Sequence, residues 1–221
     1  MQTLEYLKPA EVKELSQRVG GLSKPSKMPC EGYSLPAQKC ITGSKLRKAG
    51  KSTCANCYAL KGFYNMPSVK NALEKRFEKV TQDLQAWQAD MTLLIHNTNQ
   101  SGFFRWHDSG DLQSVEHLRA INAIALALPN VKFWIPTREY KIVQEFTDSE
   151  TVAENLIIRL SAYFKSSAPP LATAEAMGVH TSTVDFTDSA HICDAQEKGG
   201  RCMTCRKCWD KSLTNIDYPL H

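Results

Sequence analysis

A chain of 221 residues, 42% hydrophobic and 23% charged, has the size and balance of one globular domain. It shows no low-complexity segment, no leader pattern and no apolar run of membrane-spanning length, which argues against a secreted or membrane-embedded protein and for a cytoplasmic one. The net charge of +4 hides an asymmetry: residues 1–80 carry +9 and residues 81–221 carry −5.

Pro9 to Val19 reads as a short amphipathic helix stopped by Gly20-Gly21. Residues 22–67 are rich in Gly, Pro, Ser and Lys and have little periodicity. So long a structureless stretch inside a domain calls for some other organiser, and a metal site would supply one. Within it, Lys39, Lys45, Arg47, Lys48 and Lys51 occur with no acid between them. Such a patch suits the phosphates of a nucleotide or nucleic acid, or equally offsets the charge of metal-bound thiolates.

From Ser68 the pattern becomes helical. Val69, Leu73, Phe77, Val80, Leu84, Trp87, Met91 and Ile95 recur at steps of three and four, predicting helix buried along one face until Asn97–Gly102. A short strand, Phe103–Trp106, follows and runs into His107, Asp108, Ser109, Gly110 and Asp111. Ser114 caps a helix through Leu128. Val131–Ile135 reads as a buried strand, followed by a weaker helix to about Ala153 and a strand from Leu156 to Leu160. Leu171–Met177 is a short helix, and His180–Phe186 a last strand.

This alternation, with continuous apolar strands, predicts an α/β fold with a mainly parallel sheet covered by helices. One domain spans residues 1–221: a cysteine-containing loop region at 22–67, a β/α core at 68–190 and a cysteine-rich tail at 191–221. Reactive groups in such folds gather at the carboxyl ends of the strands. Here those ends are polar: His107, Asp108, Ser109 and Asp111; Thr137, Arg138 and Glu139; Ser161; Asp185 and Asp188.

Eight cysteines in a reducing compartment point to metal ligation or redox chemistry. Cys202, Cys205 and Cys208 form C-x2-C-x2-C, with Cys193 upstream. That spacing matches the loop around a cuboidal iron–sulfur cluster better than a zinc tetrahedron built from two knuckles, although zinc is the common alternative. Cys40, Cys54 and Cys57 form a second group in the loop region, followed directly by Tyr58. Three thiolates on a four-iron cluster leave one iron open to a ligand. Cys30 either completes that group or is an ordinary buried thiol.

Several long motifs carry a resemblance. Cys54-Ala55-Asn56-Cys57-Tyr58-Ala59 with Lys61–Tyr64, Phe104–Leu112, Phe133–Tyr140 and Cys202–Trp209 resemble the phage "gene product eighty-eight" domain family, over nearly the whole chain from about Lys27. That family is similar in turn to phage proteins regarded as radical S-adenosylmethionine (SAM)-like, with a cysteine-bound [4Fe-4S] cluster at the mouth of a partial (β/α) barrel.

The wider resemblance implies roles. Cys40, Cys54 and Cys57 would hold the open cluster, with Tyr58 as the neighbouring aromatic. Ser109-Gly110-Asp111 would match the turn that holds the SAM amino group, and Arg138 and Ser161 its carboxylate and ribose. By their spacing, rather than by the resemblance, Cys193, Cys202, Cys205 and Cys208 would hold a closed second centre, iron–sulfur or zinc. His107 and Asp108 would move protons near the substrate. An electron donor would be required; the substrate stays open between a nucleotide, a nucleic acid and a protein, with the basic segment suiting the first two. Here thirteen residues separate the first two cysteines, where the usual motif has three, and Ser and Asp stand in the turn where Gly and Glu are usual. The alternative is a non-enzymatic metal-stabilised module that binds nucleic acid through the basic segment.

Overall fold

A computed structural model describes residues 4–220. The first helix, α1 (Pro9–Val19), starts on a proline and ends at Gly20 as its sequence requires. A two-residue strand, β1 (Gly32–Tyr33), and a short helix, α2 (Ile41–Leu46), occupy the region expected to be loop. Periodicity cannot reveal elements this short.

The apolar stripe beyond Ser68 belongs to two helices rather than one, α3 (Pro67–Gln82) and α4 (Leu84–Thr98). Asp83 leaves helical geometry between them, and its side chain accepts the Ala86 N–H at 2.9 Å as an N-cap. The stripe runs through the break because buried residues of both helices, Val80 and then Trp87, Met91 and Ile95, join the same core.

Then follow β2 (Phe103–Trp106), α5 (Val115–Ala127), β3 (Lys132–Thr137), α6 (Tyr140–Thr147), β4 (Leu156–Ser161), α7 (Leu171–Ala176) and β5 (His180–Val184). The expected last strand is not the last: β6 (Asn215–Tyr218) returns after the cysteine-rich segment.

All neighbouring strands pair parallel and their spatial order is their chain order, β1 to β6. The sheet is open, with β1 and β6 as edges. Side chains alternate between its faces. Phe104, Trp106, Phe133, Ile135, Ile158 and Leu160 join the large core beneath α4 and α5. On the other face, Phe103, Trp134 and Ile157 form a smaller cluster with Cys30, Trp209 and Tyr218. Trp209 seals it, its indole N–H donating to the Phe104 carbonyl at 2.9 Å. The tail is thus the cover of the second face. No helix among the described residues is long and apolar enough to cross a membrane.

Candidate metal centre

Cys40 immediately precedes α2, and the loop carrying it is tied to the end of β3. The Glu139 carboxylate, almost wholly buried, accepts the Thr42 N–H at 2.8 Å and the Thr42 hydroxyl at 2.6 Å. Cys54 is placed by its neighbour, since Thr53 N–H donates to the Tyr163 carbonyl at 3.0 Å just beyond β4. Cys57 follows in a tight turn, donating its N–H to Cys54 O at 3.3 Å.

The loop region and strand ends thereby bring the three thiols into electrostatic reach of one another. The Cys54 and Cys40 sulfurs lie 3.5 and 3.7 Å from the point where a Cβ on Gly43 would sit. A glycine there leaves open the space between them. Burial pushes the Cys40 thiol well above its ordinary range, reinforced by Asp111, Cys57, Cys54 and Glu139. Burial also raises Cys54, against the pull of the Arg138 guanidinium. Burial thus disfavours the thiolate form of both, the form that a bound metal would stabilise. Among the described residues no three His, Cys, Asp or Glu side chains are drawn together tightly enough to grip a single metal ion.

The strand-end residues expected around these thiols fall into two sets. Ser109, Gly110 and Asp111 stitch neighbouring strands together. Ser109 Oγ donates to Leu35 O at 2.9 Å. Asp111 accepts the Thr137 hydroxyl at 2.6 Å, its own neighbour's Leu112 N–H at 2.8 Å and the Arg138 N–H at 2.9 Å. Burial raises the Asp111 carboxyl to about 6, and those three donors hold it from rising further. Gly110, at φ +80°, sits where a Cβ would stand 2.6 Å from Leu35 Cβ. This turn is built for close packing, and its polar atoms are spent inside the protein. Ser161 is buried as well, its Oγ 3.0 Å from Ser182 Oγ.

In the second set, Arg138 and Tyr58 lie beside the thiols. Arg138 lies within reach of Cys54, and its buried Nε has no hydrogen-bond partner. Tyr58, next to Cys57, donates its hydroxyl to the Asp108 carbonyl. The Asp108 carboxylate accepts the Ser34 hydroxyl and, at 2.7 Å, the Tyr64 hydroxyl.

His107 stands apart. Only 3% exposed, it packs between Trp106 and His117 of α5, the two imidazoles 5.4 Å apart. Burial drives its pKa well below the usual value, with His117 and then Arg105 adding to the effect. The ring is therefore a neutral part of the helix-side core, without access to a substrate.

The tail gathers the other five thiols. Cys193 is pinned to β6 by its N–H to Asp217 O at 2.8 Å. Cys205 N–H returns to Cys202 O at 2.8 Å, and Cys208 Sγ lies 3.2 Å from the Tyr218 hydroxyl. Cys193 lies within electrostatic reach of Cys202, Cys205 and Cys208. Cys30 belongs here, beside Cys202, rather than with the first group.

Sequence reasoning missed Thr42, Gly43, Arg105 and Arg159. Two of these carried a signal. Arg105 and Arg159 are lone charges inside apolar strands, and a buried charge must find partners. Thr42 and Gly43 carried none, because their role depends on what the fold sets opposite them.

No curated protein and no solved structure matches the chain. The family model described as Gene product 88 matches residues 7–211. The motif resemblance and this match over most of the sequence agree: the chain belongs to the Gene product 88 family.

Proposed function

We propose that Cys40, Cys54 and Cys57 hold a [4Fe-4S] cluster with one iron left open, and that the protein is a radical SAM-like enzyme acting on a nucleotide or nucleic acid. The observation that carries this reading is the number and place of the thiols: three, at the carboxyl ends of β3 and β4, with Cys30 committed elsewhere. The space kept by Gly43 supports a group larger than a lone ion, whose thiolates would lie only about 2.3 Å from it. The chain-order parallel sheet, helices on one face, supports a partial (β/α) barrel, in which strand ends converge on one site.

When bound, such a cluster supplies an electron to SAM and thereby the radical that the substrate reaction needs. The chain's own residues bind and orient. Arg138 offers an unspent guanidinium Nε beside Cys54 to a carboxylate. Tyr58 flanks the cluster loop and fixes its distance from β2 through the Asp108 carbonyl. Asp108 is the proton-handling group, since it is partly exposed while His107 is not. Ser109, Gly110, Asp111 and Ser161 shape the floor of the site through the strand-end bonds described above. An external reductase would deliver the electron.

The experiment is anaerobic purification with iron and sulfide analysis, then reduction in the presence of SAM. The reading expects a four-iron cluster whose electron paramagnetic resonance signal changes on adding SAM, and release of 5′-deoxyadenosine. A protein that takes up iron and sulfide but leaves SAM intact and its spectrum unchanged refutes it. One observation favours the non-enzymatic reading. Phe63 is 82% exposed, Tyr58, Lys61 and Met66 near it in the chain are exposed too, and so are Lys45, Lys48 and Lys51 in the same loop region. Aromatics among cations suit single-stranded nucleic acid, and salt-sensitive binding by the metal-free protein would identify that module.

A further inference from the structure

The second sheet face carries two guanidinium groups that lack a direct anionic partner. Arg159, wholly buried on β4, spends its donors on five backbone carbonyls: Leu213 at 2.8 Å, Asp210 at 2.9 Å, Cys208 and Thr181 at 3.3 Å, and Lys207 at 3.4 Å. Asp210 gives it the carbonyl, while one carboxylate oxygen, Oδ1, accepts the Ser212 N–H at 2.9 Å and its hydroxyl at 2.7 Å. Arg105, on β2, lies over the Trp134 ring at 4.6 Å. Its Nη1 meets the Met28 thioether at 3.6 Å, and its buried Nε has no partner. Among the described residues neither arginine has a carboxylate at ion-pair distance.

A guanidinium does not shed its proton inside a protein, and a buried charge without a counter-charge is costly. Around Arg105 lie Tyr58, Asp108 and Tyr218, around Arg159 Tyr218 and Asp210, and beside both lies sulfur. Arg105 lies within reach of Cys30, Cys202 and Cys208, and Arg159 within reach of Cys208. Four thiolates on a dication, or on a [4Fe-4S] core of the same charge, make a centre of net charge −2. Two guanidiniums neutralise it.

We propose that Cys193, Cys202, Cys205 and Cys208, which are not drawn in around a single ion in this structure, close on a tetrathiolate metal centre, zinc or iron–sulfur, whose charge Arg105 and Arg159 help to balance. The two arginines act differently. Arg159 holds the carbonyls of the loop that carries Cys208, so it fixes that loop against the sheet. Arg105 comes from the sheet, so the metal clasps tail to sheet through charge. Cys30 and Met28 wall the site, Met28 Sδ lying 3.8 Å from Cys202 Sγ, without ligating. This centre is independent of the cluster proposed at Cys40, Cys54 and Cys57.

The test uses the full chain with Cys40, Cys54 and Cys57 all changed to Ala, so that only the tail can bind. The apo-protein is titrated anaerobically with Co2+ as a spectroscopic probe for zinc, and separately reconstituted with iron and sulfide. The proposal expects a tetrathiolate–cobalt spectrum in the first arm, a four-iron cluster in the second, or both, and the stronger retention names the native metal. Adding Cys202→Ser with Cys205→Ser abolishes binding, whereas adding Cys30→Ala leaves it intact. Arg105→Gln speeds metal loss to a chelator by about ten- to a hundredfold, and Arg105→Lys restores retention. If the starting variant, folded by circular dichroism, retains neither metal, the site does not exist. If Arg105→Gln retains metal as firmly as Arg105, the charge pairing is wrong.

Discussion

Thr42 and Glu139, 97 positions apart, form a two-point clasp: both carboxylate oxygens of Glu139 are taken by the Thr42 N–H and hydroxyl. The clasp sets the start of α2, and with it Cys40, against the end of β3. Thr42→Val removes the hydroxyl donor and leaves one buried carboxylate oxygen unmet, so it costs about 1–3 kcal/mol by urea denaturation. Glu139→Gln costs less, because an amide N–H2 can donate to the Thr42 hydroxyl while the amide oxygen still accepts the N–H. The reverse order of these two variants would show that the clasp is not as described.

Gly43→Ala tests the space between the thiols. The new Cβ would lie 3.0 Å from Cys40 Cβ and 3.5 Å from Cys54 Sγ. Alanine favours a helix, so secondary structure is kept and the thermal midpoint changes little. Iron bound after reconstitution falls severalfold, read from iron per chain in the background of a Cys202→Ser, Cys205→Ser tail.

Gly110→Ala tests the turn. A side chain there meets Leu35 Cβ at 2.6 Å and Leu35 O at 2.7 Å, at a φ of +80°. Strain and collision together cost more than about 3 kcal/mol, read as loss of folded protein or a large fall in the urea midpoint.

Acid sensitivity should come in part from the His107–His117 pair. Burial lowers His117 to about 3 from its ordinary 6.5, so the unfolded chain takes up a proton that the folded chain refuses. Stability therefore falls as pH drops from about 6.5 towards 3, by up to about 1.4 kcal/mol per pH unit for each such histidine. Asp111 acts with the opposite sign: its raised folded pKa of about 6 costs stability as pH rises from 3.8 through 6. In His117→Phe the acid loss is shallower, measured as urea midpoints at pH 7 and pH 4.5. Equal slopes in both proteins would count against this source.

Arg159→Met should release the tail. Five carbonyls lose their donor at once, and methionine fills much of the volume without replacing any bond. Trypsin cleavage at Lys198, Arg201 and Lys207 accelerates at least about tenfold in the metal-free protein, since ~1.4 kcal/mol of local opening gives that factor. Mass mapping of the fragments reads it directly.

The alternation of apolar strands with amphipathic helices determined the parallel α/β core, because periodicity is a local property and burial selects for it everywhere. Cysteine spacing determined that two groups of thiols exist, and polar residues after each strand marked the end of the sheet where one group sits. Only the folded chain decided which residues meet. It broke one apolar stripe into two helices at Asp83, assigned Cys30 to the tail, and added β1 and β6, too short for any pattern to show. It also turned His107 into the core while leaving Asp108 beside the loop, a choice made by the backbone at φ +55° at His107. Contacts such as Thr42 with Glu139 or Arg159 with the tail carbonyls join residues about 50 to 100 positions apart. A one-dimensional pattern holds no trace of such pairs, since each depends on the path of all the chain between.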